Sequence, residues 1–131
     1  MNVGAAAEAS GVSAKMIRYY EEIGVLPAPQ RAANGYRCFS ERDVHILRFI
    51  RRARELGFTV EQIRHLVALW RDRSRSSAEV KRIALEHIDE LDAKIAAMGA
   101  MRDELAHLAA HCRGDERPEC PIIDDLAGRD G

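Results

Sequence analysis

A chain of 131 residues can hold one compact domain, or a small domain with a helical extension. Hydrophobic residues make up 47% of it, charged residues 31% and aromatics only 5%, a balance that excludes bulk disorder and suits aliphatic cores with charged helical faces. The formal net charge of -1 conceals an uneven split, with ten Lys and Arg against seven Asp and Glu in residues 1–70 and ten against fourteen in residues 71–131. No basic leader precedes the short apolar stretch that Glu8 interrupts, and no run approaches the ~18 apolar residues of a membrane span, so a cytoplasmic protein with no membrane partner is expected. No paired carboxylates, nucleophile with its base, or phosphate-binding loop is present, and no enzyme is expected.

Asn2 caps a first short helix with Val3, Ala6 and Ala7 on one face, closed at Ser10-Gly11. The turn Gly11-Val12-Ser13 leads into a second helix, capped by Ser13 and running from Ala14 to about Ile23 before Gly24. Two short helices around a glycine turn form a helix-turn-helix, whose second helix is suited to a DNA major groove. Met16, Ile17, Tyr20 and Ile23 make the inward stripe of that helix, leaving Lys15, Arg18 and Tyr19 as candidates for phosphate or base-edge contact. An ordinary solvated helix carries such charges too, so the next segment matters. In Arg31-Ala32-Ala33-Asn34-Gly35-Tyr36-Arg37-Cys38-Phe39 an Asn-Gly pair separates two short extended runs, which predicts a hairpin. Beside a helix-turn-helix this hairpin reads as a wing, with Arg31, Tyr36 and Arg37 placed toward the phosphate backbone of double-stranded DNA.

Ser40, with Asp43 three residues on, predicts a capped third helix from Glu41 to Leu56, stopped by Gly57. Val44, Ile46, Leu47 and Ile50 form its apolar face; Arg48, Arg51, Arg52 and Arg54 are expected to be solvated or paired with Glu41 and Glu55. Thr59-Val60-Glu61-Gln62 is a second capping box, opening a helix through Ile63, Leu66, Val67, Leu69 and Trp70, with Phe58 stapled onto it and Trp70 in the core.

The succession from Ser13 to Leu26, then Asn34-Gly35-Tyr36-Arg37, then Arg54-Glu55-Leu56-Gly57-Phe58, resembles the DNA-binding domain of the MerR family of bacterial transcription regulators. The resemblance covers residues 1 to about 70. It implies a winged helix-turn-helix, a homodimer, and a promoter bound between the two elements that RNA polymerase recognises.

Residues 71–77 form a polar, basic connector in which Ser76 or Ser77 can cap the next helix. From Ala78 to His111 there is no proline, which predicts a helix roughly 50 Å long at 1.5 Å per residue. Ala84, Ile88, Leu91, Ile95, Met98, Leu105 and Ala109 fit a heptad seam, with Lys81 and Arg102 as its polar exceptions. A lone helix cannot bury that seam, so a two-stranded coiled coil in a homodimer is expected. Its antiparallel orientation comes from the resemblance, since the seam does not decide it.

Cys112 and Cys120 flank a seven-residue loop at the end of this helix. Reduced thiols are the rule in the cytoplasm, and a close pair there points to metal or redox sensing more than to a structural disulfide. Pro121 suits the first position of a short helix, which puts Cys120 at the cap, where the helix's positive end favours thiolate. Two thiolates from one loop suit a soft ion of low coordination number, Cu(I) foremost. A zinc ion would need His107, His111, Asp115, Glu116 or Glu119 to complete it, yet neither histidine has a recognised zinc spacing and all five are expected to be solvated. A Cys112–Cys120 disulfide switch and a structural zinc loop on a constitutive DNA-binding dimer stay open as alternatives. Cys38 is expected to be a small buried residue.

With Pro121-Ile122-Ile123 after the second cysteine and Ser77 near the start of the long helix, the loop resembles the copper-efflux branch of the same family. That implies Cu(I), Ag(I) or Au(I) as effector and copper or silver efflux or detoxification genes as targets. Relatives that answer to Zn(II), Hg(II) or Pb(II) generally have a cysteine where this chain has Ser77. An antiparallel dimer sets that turn near the other chain's loop, so the resemblance implies two-coordinate, monovalent binding, with Lys81 and the partner helix's amides offsetting the residual negative charge. The tail Gly128-Arg129-Asp130-Gly131 lacks the Cys and His of some copper regulators. The expected protein is therefore mainly α: a winged helix-turn-helix over 1–70, a connector over 71–77, a long dimerisation helix over 78–111, and a metal-binding loop with a short helix over 112–131.

Overall fold

The computed structural model describes residues 1–28, 30, 31, 33 and 35–128, with the backbone alone at 30 and 31. Among these residues the fold is mainly helical, with a single two-stranded hairpin. The chain forms two compact units, Met1–Lys81 and Arg82–Gly131.

Local chemistry accounts for the boundaries in the first unit. Helix α1 (Val3–Ser10) begins where the Asn2 side chain accepts the Ala5 amide at 2.8 Å, and ends at Gly11, whose φ of 77° suits a residue without a Cβ. Helix α2 (Ala14–Glu22) starts from Ser13, whose hydroxyl accepts the Met16 amide at 3.2 Å. Strands β1 (Gln30–Arg31) and β2 (Arg37–Cys38) pair antiparallel, Gln30 opposite Cys38 and Arg31 opposite Arg37. Asn34, half of the predicted Asn-Gly turn, lies outside the described residues. Helices α3 (Glu41–Glu55) and α4 (Val60–Arg71) each open with a complete capping box, Ser40 with Asp43 and Thr59 with Gln62.

Helix α1 packs on α2 and α3, and α3 on α4. Their shared core holds Ala6, Ile17, Tyr20, Leu26, Phe39, Leu47, Ile50 and Ile63, with Met16, Ile23 and Phe58 partly buried at its edge. The stripe predicted for α2 is thus the face that packs. Two expectations fail. Trp70 is 39% exposed, because Ile63 and Val67 take the inward positions of α4 and the core ends before its last turn; the indole stacks on Phe49 instead, with centroids 4.6 Å apart. Cys38 is exposed, since alternation along the extended chain gives the inward position to Phe39. Phe39 is tied down by two backbone bonds to Met1, at 2.7 and 2.8 Å, and the Cys38 sulfur accepts from the Met1 nitrogen at 3.6 Å.

Helix α5 (Ser77–Ala110) has 34 residues and runs through the boundary between the units; each end lies one residue before the predicted one. Ser76 caps it, accepting the Glu79 amide at 3.3 Å. Within Arg82–Gly131, Ile83, His87 and Leu108 are buried, whereas Leu85, Ile88, Ile95, Met98, Met101 and Leu105 are each about half exposed or more. Helix α6 (Pro121–Leu126) follows the cysteine loop, with Pro121 at its start and Cys120 as its cap residue. No helix of the described residues is long and apolar enough to cross a membrane.

Candidate functional site

Two groups of residues carry candidate function, one in each unit. In the first, α2 turns Ile17 and Tyr20 inward and so presents Lys15, Arg18 and Tyr19 to solvent. Tyr36 on the hairpin is 74% exposed. Arg37 is not simply exposed: its Nε lies 3.3 Å from Oε1 of Glu21, a largely buried carboxylate on α2, so this ion pair anchors the wing to the helix. The two terminal guanidinium nitrogens keep their four donors beyond this ion pair. The Arg31 side chain lies outside the described residues.

The arginines of α3 divide as only packing could decide. Arg51 and Arg52 pair with Glu55 at 3.3 and 3.2 Å, as the sequence suggested. Arg48 donates from Nε and Nη2 to the Ala9 carbonyl, at 3.2 and 2.9 Å, and so joins the end of α1 to α3. Sequence reasoning missed that role, because the partners are far apart in the chain and a backbone carbonyl leaves no signature.

In the second unit, α5 ends in tightened turns, His111 and Cys112 donating their amides to Leu108 and Ala109 at 3.2 Å. Gly114, with φ of 68°, reverses the chain, and Asp115 gathers three donors from Arg117 at 2.7 to 2.9 Å. The Arg117 side chain is the main reason the Asp115 carboxyl titrates below the usual range, and it commits that carboxylate to shaping the loop. Cys112 and Cys120 are both half-buried, with sulfurs 3.5 Å apart. A disulfide needs about 2.05 Å, so both thiols are free. An ion about 2.3 Å from each sulfur would subtend an angle of about 100° across the 3.5 Å gap, so the pair can share one ion, and the sulfurs would have to part by about 1 Å to hold it in a straight line. Cys120 closes no capping hydrogen bond of ordinary geometry, yet the Ile123 amide above all, and then the Cys112 side chain, draw its thiol below the usual range, against the opposing effects of desolvation and, more weakly, of Asp124. Among the described residues no three His, Cys, Asp or Glu side chains converge as a metal cluster.

Ser77 and Lys81 lie one turn apart and exposed at the start of α5, in a shallow recess with Arg75 and Val80. His107 and His111, predicted to be separately solvated, are both exposed but touch each other, with ring centroids 4.3 Å apart and the His111 Nδ1 2.8 Å from the His107 carbonyl. Their four-residue separation on a helix was the available signal.

Residues 1–69 match the family described as MerR HTH family regulatory protein, and residues 44–108 the one described as MerR, DNA binding. The chain is 61% identical over 127 residues to the HTH-type transcriptional regulator HmrR of Sinorhizobium medicae strain WSM419, spanning 97% of this chain and 86% of the relative. It is 60% identical, with the same coverage, to heavy metal-dependent transcription regulator 2 of Rhizobium meliloti strain 1021. Among solved structures, the transcription regulator PbrR691 of Ralstonia metallidurans CH34 in complex with lead(II) aligns at a TM-score of 0.84 and 29% identity, over 96% of this chain and 98% of that one. A helix-turn-helix with its hairpin, a long helix and matches of this extent lead to one conclusion: the chain belongs to the MerR family of transcriptional regulators and is not an enzyme.

Proposed function

We propose that this protein is a metal-responsive regulator that binds double-stranded promoter DNA as a homodimer, and that its effector is Cu(I), or its congeners Ag(I) and Au(I), held by Cys112 and Cys120. The observation that carries the reading is the pair of free thiols 3.5 Å apart with no third protein donor converging on them among the described residues. Soft thiolates favour Cu(I), whereas zinc ordinarily takes four ligands or three and a water. Asp115, one of the carboxylates available to a zinc site, is held by Arg117 instead. The description of one relative as heavy metal-dependent, and the lead(II) complex of another, support a metal effector in general.

The chain's own residues prepare the site. The amide environment of Cys120 favours thiolate, and Cys112 follows directly on the last turn of α5, so a restraint on its sulfur acts on the end of that helix. A bound monovalent cation supplies two soft-ligand bonds and leaves one negative charge, which Lys81 of a second copy is suited to offset in an antiparallel dimer. The half-exposed stripe of α5 supports that dimer. Lys15, Arg18, Tyr19, Arg31, Tyr36 and Arg37 contact the DNA. Effector binding biases a two-state dimer by differential affinity, and distortion of the promoter duplex is the output that lets RNA polymerase engage efflux or detoxification genes.

Titration with Cu(I) under strictly reducing conditions and a competing chelator tests this directly. One Cu(I) per chain, not displaced by Zn(II), is expected. Cys112→Ser should retain operator binding and lose copper-dependent transcription; unchanged copper induction in that variant would overturn the assignment.

A further inference from the structure

We propose that His107 and His111 form a second metal site, suited to a borderline divalent cation such as Zn(II) or Ni(II) and independent of the two thiols. Four residues apart near the end of α5, their rings lie on one helical face with centroids 4.3 Å apart and planes inclined at 48°. One ion bound about 2.0 to 2.1 Å from a nitrogen of each ring needs those nitrogens within about 4 Å of one another, and rings this close meet that with small rotations. Neutral imidazole suits Zn and Ni, where thiolate pairs favour softer ions.

The hydrogen bonding settles the state of one ring. Nδ1 of His111 lies 2.8 Å from the His107 carbonyl oxygen, which can only accept, so Nδ1 carries a proton and, in the neutral ring, Nε2 is the nitrogen with the lone pair. Metal-ligating histidines are oriented in this same way, with the second nitrogen donating to a backbone carbonyl. His107 lies in the last turn of the 34-residue helix and His111 just past its end, where the carbonyl ends favour a cation. Both side chains are exposed, so water can fill the remaining coordination positions.

The test uses the full chain with its three thiols removed as Cys38→Ser/Cys112→Ser/Cys120→Ser, and in parallel the natural chain with its thiols alkylated, in case the triple variant does not fold. Ni(II) is titrated at neutral pH by calorimetry, while NMR follows paramagnetic broadening of the imidazole signals. One Ni(II) per chain is expected, with broadening confined to His107 and His111. His107→Ala or His111→Ala should each weaken binding by at least about tenfold, a loss seen even when an outer-shell partner of a metal ligand is removed. His45→Ala, at an exposed histidine on α3, should leave it unchanged. Absence of saturable binding in both thiol-free forms, or binding indifferent to His107→Ala and His111→Ala, would overturn the proposal. Because neither thiol takes part, failure here leaves the Cu(I) reading standing, and failure of Cu(I) titration leaves this one standing.

Discussion

Arg18 and Lys15 share the outward face of α2, where a positive side chain can meet a phosphate without disturbing the core. Arg18→Ala should therefore lower operator affinity and make its dependence on salt shallower by about two units of slope, one for each copy in the dimer, as measured by binding at several ionic strengths. Gly11 shows the opposite case, a residue whose role is conformational. Its φ is 77°, and an added Cβ would collide with the guanidinium of Arg51. The long arginine can swing away, but the left-handed backbone cannot relax, so Gly11→Ala should cost about 1 to 2 kcal/mol in urea denaturation. For Cys120 the sign is that of an acid with a lowered folded pKa. The thiolate's favourable contribution is present above the pKa of the unfolded thiol and is lost as pH falls through the lowered folded value. Alkylation of Cys120, followed by mass spectrometry, should accordingly begin at lower pH than in an unstructured peptide, and Asp124→Asn should move its onset lower still. Of these residue-scale features, the outward cations and the left-handed glycine could be seen in the sequence. The pairing of Arg37 with Glu21 and of Arg48 with the Ala9 carbonyl could not, because each joins elements that only packing brings together.

The helices were the most legible elements because their start signals are local. A hydroxyl or amide side chain followed at fixed spacing by its partner is enough to place an N-terminus, and the capping boxes of α3 and α4 form as predicted. Thr59→Ala should lower stability by about 1 kcal/mol, measured by urea denaturation, since the Gln62 amide loses its acceptor. On α5 the informative residue is Gly99, in mid-helix with nothing of this chain near an added Cβ. Gly99→Ala should thus raise stability by about 1 kcal/mol, checked by thermal unfolding. Trp70 was misjudged for a reason that applies to helix ends generally. Periodicity assigns a face, but it does not say where along the helix the core stops, and here the indole passes beyond Ile63 and Val67 onto Phe49.

For the molecule as a whole, the decisive feature is the apolar stripe of α5, which this chain leaves about half exposed from Leu85 to Leu105. A second copy is its natural cover, so Ile95→Glu should shift the protein from dimer to monomer in sedimentation and weaken operator binding with it. The sequence by itself determined the helical class, the helix-turn-helix with its wing, the length of α5 and the two-cysteine loop, because caps, glycine turns and hydrophobic periods act over a few residues. Only the tertiary structure decided that the Cys112 and Cys120 sulfurs stand 3.5 Å apart and free. It alone decided that Asp115 belongs to Arg117, that Cys38 faces outward, and that His107 and His111 touch. Those outcomes depend on how a loop reverses, which alternate residue the core admits and which rotamers neighbouring rings adopt; spacing set His107 and His111 on one helical face but fixed none of these.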